Sequence, residues 1–183
     1  GGMRQRVAIA MALAFSPKII IADEPTTALD VTIQAGILKL MKDIQEQTKT
    51  SIILITHDLS LVARYCNRAL VMYAGNIVEQ ATTEELFYNP KHPYTELLLK
   101  SLPRPDLNQS RLTPIEGKPP DLSQQFCGCP FIDRCPYAMN ICKMTPPKME
   151  SLSADHESRC WREHPEVKNE VEEEIVAKRE EVP

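Results

Sequence analysis

No run of apolar residues in this 183-residue chain approaches the ~18 that a membrane-spanning helix needs. No basic segment leads into an apolar stretch and a small-residue cleavage site, so no secretory signal is expected. No internal repeat is visible, which excludes solenoid and propeller architectures. A strong basic field is missing too. From Glu163 to Pro183 there are eight Glu against three Lys or Arg, and the rest of the chain is close to neutral. Nucleic acid is therefore not an expected partner. What the chain does have is unevenly spread. Its 15 prolines are dense from Pro90 onward, and five of its six cysteines lie between Cys127 and Cys160, with Cys66 apart.

The periodicities predict an α/β fold with a parallel sheet. Val7 to Phe15, rich in Ala, Leu and Met and apolar on nearly every face, is expected to be a buried helix ending before Pro17. Ile19 to Ala22 read as a short buried strand stopped by Pro25, and Ser51 to Thr56 as a second. Between them Val31 to Gln47 is amphipathic, with Ile33, Ile37, Leu40, Met41 and Ile44 on one face. Leu59 to Tyr65 is helical, and Arg68–Tyr73 with Asn76–Gln80 form a hairpin around Ala-Gly. Short helices follow over 84–88 and 94–102. Residues 103–125, with five prolines, read as a linker. Residues 126–161 are too few and too polar to build a core unaided, and 162–183 form an acidic, solvated tail.

Asp23 and Glu24 stand where the first strand emerges at its carboxyl edge, the usual ligand edge of an open α/β sheet. Neighbouring side chains on extended backbone point to opposite sides, so one carboxylate can serve Mg²⁺ while the other orients an attacking water. A bare Asp-Glu pair is ordinarily a capping or loop pair; here the strand before it and the turn ending at Asp30 favour the chemical role. His57 ends the second strand at the same edge. A lone histidine there is more often structural, but beside a carboxylate on the neighbouring strand it can meet a phosphate or place water. Gly1-Gly2 before a helix let backbone N–H groups approach an anion. Arg4 and Arg6 in that first turn are mildly disfavoured unless something anionic is near.

Taken together these residues resemble the second half of the ATP-binding subunit of an ABC transporter. Gly1-Gly2-Met3-Arg4-Gln5-Arg6 is similar to the end of the family's signature motif, Ile19 to Glu24 to its Walker B strand, and Thr27-Ala28-Leu29-Asp30 to its D-loop. The resemblance implies Asp23 as the magnesium-side carboxylate, Glu24 as the catalytic base, His57 as the switch histidine, and Gly1, Gly2 and Asp30 as nucleotide-contacting residues. Met3 followed by Arg-Gln-Arg, Lys91-His92-Pro93-Tyr94, and the segment Gly128-Cys129-Pro130-Phe131 to Cys135-Pro136 resemble the dipeptide/oligopeptide importer subfamily. The fold implied is the carboxyl-terminal part of a P-loop NTPase-like parallel sheet over 1–102, a Pro-rich linker over 103–125, a small Cys-rich, metal-stapled extension over 126–161, and an acidic tail. The activity implied is ATP hydrolysis that powers di- and oligopeptide import, with ATP and Mg²⁺ as cofactors. The partners implied are a second ABC ATPase subunit, transmembrane permease subunits and, indirectly, a peptide-binding protein, at the cytoplasmic face of the membrane.

No Gly-x-x-x-x-Gly-Lys-Ser/Thr loop occurs in the sequence, so nothing in it cradles the α/β-phosphates. The expectation is a fragment, inert as an ATPase alone. Cys129, Cys135, Cys142 and Cys160, spaced C-x5-C-x6-C-x17-C, leave disulfides, zinc, an iron–sulfur cluster and free thiols open. The resemblance favours a 4Fe–4S cluster on these four, with zinc as the alternative. Two other functions remain open: a soluble ABC ATPase outside transport, and a metal-stapled interaction module.

Overall fold

In the computed structural model, which describes residues 1–102, 114–123, 126–165 and 167, the chain divides into two compact units, Gly1–Cys66 and Asn67–Pro183. Most of the expected linker and of the acidic tail lies outside the described residues.

The first unit is built around one strand–helix–strand crossover. Strand β1 (Ile19–Asp23) pairs in parallel with β2 (Ser51–Ile55), in a register that sets Asp23 beside Ile55. Helix α2 (Val31–Thr48) makes the crossover. Its start is fixed by Asp30, whose carboxylate accepts the Ile33 N–H at 3.0 Å, and its end by Lys49 in the left-handed region at φ 59°. Ile37, Leu38 and Met41 of α2 pack on Ala22 of β1 and on Leu61 of α3 (Leu59–Tyr65), with Ile52 and Leu54 alongside. The inward face is thus legible from the 3.6 period, shifted so that Leu38 is central and Ile33 is exposed.

Two expectations of burial fail here. Helix α1 (Gly2–Leu13) has no buried residue; Met3, Val7 and Met11 are exposed, and only Ile9 packs against the core. Its apolar residues run round the whole circumference, whereas the unit offers neighbours to one stripe. The strands are covered on a single face as well. Ile19, Ile21, Ile53 and Ile55 are exposed, while Ala22 is buried and Ile20, Ile52 and Leu54 are half-buried.

The second unit holds an antiparallel sheet in the order β3-β4-β6-β5. Strands β3 (Arg68–Tyr73) and β4 (Asn76–Thr82) form the expected hairpin, turned through Ala74 and Gly75, both at positive φ as a tight two-residue turn requires. Helices α4 (Thr83–Tyr88) and α5 (Pro93–Lys100) follow, then the short α6 (Ile141–Met144), β5 (Glu150–Ser153) and β6 (His156–Ser158). The Cys-rich segment packs onto the core of the hairpin and the helices that follow it rather than building one of its own. Phe131 is buried against Tyr73 and Tyr94, joining Val71, Val78, Ala81 and Leu86, and β6 adds to the edge of β4. Arg134 holds the 115–116 carbonyls at 3.0 Å each, pinning that part of the expected linker to this core.

Candidate functional site

The parallel pairing of β1 and β2 delivers Asp23, Glu24 and His57 to one sheet edge. The ladder continues one step past β1, where the Glu24 N–H donates to the Ile55 carbonyl at 2.9 Å. Glu24 then turns into the left-handed region at φ 41°, a conformation that costs a non-glycine residue about 1–3 kcal/mol. Both carboxylate oxygens are engaged: Oε1 lies 3.0 Å from His57 Nδ1, and Oε2 accepts the Thr27 hydroxyl at 2.8 Å. The hydrogen bond from His57, then that from Thr27, holds the Glu24 carboxyl below the usual carboxylate range. The group is thus anionic at neutral pH and oriented by two partners, while its exposure leaves a water free to reach it.

The other candidate residues are placed as follows. Asp23 ends β1 with its side chain exposed. Asp30 spends one carboxylate oxygen on the cap of α2. A Cβ at Gly1 or Gly2 would stand 2.6 Å from a methyl of Leu29 or Ile33, so these glycines bring the start of α1 against the turn that holds Asp30. Arg4 and Arg6 are exposed and enter no ion pair among the described residues.

The four cysteines named from the sequence do meet. Cys129, Cys135, Cys142 and Cys160 line one small cavity together with His92 and Arg162. The Cys129 N–H donates to the Cys142 carbonyl at 2.8 Å, an approach that only glycine at 128 permits: a Cβ there would lie 2.2 Å from that oxygen. Three of the sulfurs accept a backbone N–H from two residues on: Cys129 from Phe131, Cys135 from Tyr137 and Cys160 from Arg162. Burial nonetheless pushes the Cys135 thiol up to about 11 and the Cys160 thiol up to about 12. The expected metal centre is not met as a finished site. Among the described residues no group of three or more His, Cys, Asp or Glu is arranged to hold an ion, and the four cysteines form no disulfide. The donor types lining the cavity, four cysteine sulfurs of which three accept a backbone N–H, are those that a thiophilic metal takes.

A buried ionisable pair escaped the sequence reading. Glu79 of β4 is fully buried; its Oε1 lies 2.8 Å from His156 Nε2 and accepts the Lys91 N–H at 2.6 Å, and Oε2 accepts the His92 N–H at 3.0 Å. One carboxylate therefore ties the start of α5 to β4 and β6. Only the sequence-remote pairing of β4 with β6 reveals it, and no local signal announces that pairing. His92 in turn caps α5, its Nδ1 accepting the Tyr94 N–H at 3.1 Å, and burial drives its pKa down to about 3.

Residues 78–142 match the family model described as the oligopeptide/dipeptide transporter, C-terminal region, and residues 2–63 match an AAA domain model described for the AbiEii toxin, Type IV TA system. The dipeptide transport ATP-binding protein DppD of Bacillus subtilis is 56% identical over 161 residues, 88% of this chain and 48% of that protein. The chain is thus similar to peptide-transporter ATP-binding proteins. The oligopeptide transport ATP-binding protein OppD of the same organism is 55% identical, over 91% of this chain and 47% of its own length. The chain spans about half the length of these relatives. Among solved structures, cbiO1 from Clostridium perfringens, part of the ABC transporter complex cbiONQ, is 39% identical over 48% of this chain and 35% of that one, with a TM-score of 0.45. Among the described residues no helix is long and apolar enough to cross a membrane.

Proposed function

We propose that the chain supplies the hydrolytic half of an ATPase subunit that powers di- and oligopeptide import, working at the cytoplasmic face of the membrane on transmembrane permease subunits that a peptide-binding protein serves. The observation that carries this reading is the Glu24–His57 pair on adjacent parallel strand ends, in a homologue of dipeptide and oligopeptide transport proteins. Glu24, anionic and held from both oxygens, takes the proton of the attacking water. His57, 80% exposed, faces the γ-phosphate. Asp23 is the carboxylate free for Mg²⁺, which binds through one or two carboxylates plus substrate phosphates, so a single exposed Asp fits it. When bound, Mg²⁺ neutralises charge on the transferring phosphoryl group. Gly1 and Gly2 open α1 towards the γ-phosphate of a nucleotide held by a second ATPase subunit, and Asp30 stands beside them on the D-loop. The α/β-phosphates are held by a loop that these 183 residues do not contain, so the chain alone is inert.

In this reading residues 1–102 are the carboxyl-terminal part of the nucleotide-binding domain, 103–125 a linker, 126–161 the extension and 162–183 an acidic tail. The four thiols of the extension hold a metal centre, a 4Fe–4S cluster or zinc, whose task is to fix the segment's fold. Iron, zinc and acid-labile sulfide per chain, measured on protein purified without oxygen, decide which: near-fourfold iron and sulfide for the cluster, one zinc for the staple, and neither for free thiols.

The test of the catalytic assignment is Glu24→Gln in a protein that also carries the phosphate-binding loop. ATP should remain bound while turnover falls by roughly 10²–10⁴-fold. Turnover near wild type would remove Glu24 from the role.

A further inference from the structure

We propose that Arg162 is a positioning residue of the four-thiol cavity, its guanidinium supplying the positive charge that offsets a metal centre bound by the four sulfurs. The inference rests on the metal-binding reading of those thiols. Arg162 is the one permanently charged side chain among the described residues that line the cavity; the only other basic one, His92, spends its Nδ1 accepting the Tyr94 N–H. The guanidinium is fixed from two sides. Its Nη1 pairs with Glu96 Oε1 at 2.8 Å, and its carbon lies 4.1 Å from the centre of the Tyr137 ring. That arrangement leaves Nε buried with no hydrogen-bond partner, a donor that the surrounding protein does not satisfy. The backbone of the same two residues already serves the site, through the Arg162 N–H to the Cys160 sulfur and the Tyr137 N–H to the Cys135 sulfur.

The chemistry of the cavity calls for such a group. Four thiolates around a dication leave a net charge of about −2, and a buried charge without a counter-charge is strongly disfavoured. A guanidinium is permanently charged, and its planar face stacks on an aromatic ring while its N–H groups stay available. Glu96 offsets part of that charge. It is therefore the tether of the guanidinium, and its removal should leave the cation in place.

Co²⁺ titration of the 183-residue chain under reducing conditions tests this, followed by the thiolate-to-cobalt charge-transfer band and by competition with a chromogenic chelator. Arg162→Gln should weaken Co²⁺ and Zn²⁺ binding about 10- to 100-fold, the range typical of outer-shell partners. Arg162→Lys and Glu96→Gln should stay within about threefold of the parent chain. Equal losses in Arg162→Gln and Glu96→Gln would show that the pair acts only as a structural tie and would overturn the proposal. So would unchanged affinity in Arg162→Gln, or a tenfold loss in Arg162→Lys, which still decides the matter should Arg162→Gln fail to fold. A parent chain that gives no charge-transfer band at all would refute the metal-binding reading itself, a result distinct from any difference among the variants.

Discussion

At Glu24 a strained backbone and two short side-chain hydrogen bonds fix one carboxylate at a strand end. Because the His57 hydrogen bond is the largest influence lowering the Glu24 pKa, a general base at this position stays ionised further into acid than an ordinary glutamate. His57→Ala should move the acidic limb of the pH–rate profile to higher pH, measured in a protein able to bind ATP; an unmoved limb would separate the two residues functionally. His92 gives the opposite kind of titration. The native state keeps it neutral down to about pH 3, whereas the unfolded chain protonates it near pH 6.5. Its contribution to stability is thus complete above about pH 6.5 and declines as pH falls toward 3, with a slope of up to about 1.4 kcal/mol per pH unit. His92→Asn, which keeps a capping side chain, should flatten that decline in denaturant titrations from pH 7 to 4. An identical slope would mean that other groups dominate acid unfolding. The strand-end candidates were legible because each sits at a pattern boundary, an apolar run ending in Asp-Glu-Pro or Thr-His. The Thr27 hydroxyl on Glu24 was not, since a threonine in a turn has no sequence mark of its partner.

At the level of elements, the helices and the hairpin follow from local signals. The period of α2 and its Asp30 cap define a helix, and the Ala74-Gly75 turn defines the hairpin. Strands β5 and β6 do not, because Glu-Ser-Leu-Ser and His-Glu-Ser are short and polar. They are strands because the edge of β4 offers a ladder, through Glu79 opposite Ser158 and Gln80 opposite Glu157, with a side-chain hydrogen bond from Gln80 to Glu157. Glu79 locks that arrangement. Glu79→Ala would strand His156 and two backbone N–H groups without their acceptor, and should cost about 3–5 kcal/mol in chemical denaturation of the second unit. A loss under about 1 kcal/mol would show that water replaces the carboxylate. Gly128 is the other fixed point. Gly128→Ala drives a Cβ into the Cys142 carbonyl and should cost about 1–3 kcal/mol or more, with loss of the four-sulfur convergence.

Across the whole molecule, the apolar strands imply a sheet buried on both faces, yet the first unit covers one face only. Continuous runs such as Ile19-Ile20-Ile21 say how much surface wants cover; they do not say which residues provide it. The four cysteines show the converse. Their spacing gave no metal motif, but the fold brings them to one cavity through the loop at 128–142 and the strand end at 160. The proposed function rests on finding the Glu24–His57 strand edge and a segment that matches the oligopeptide/dipeptide transporter C-terminal region in one chain. Its most direct test is exchange. The matching segment of the Bacillus subtilis dipeptide transport protein, 56% identical, would be replaced by these residues, and ATP-dependent dipeptide uptake measured in cells. Uptake should be retained and should disappear with Glu24→Gln. Normal ATP turnover without dipeptide uptake, or uptake indifferent to Glu24, would contradict the assignment.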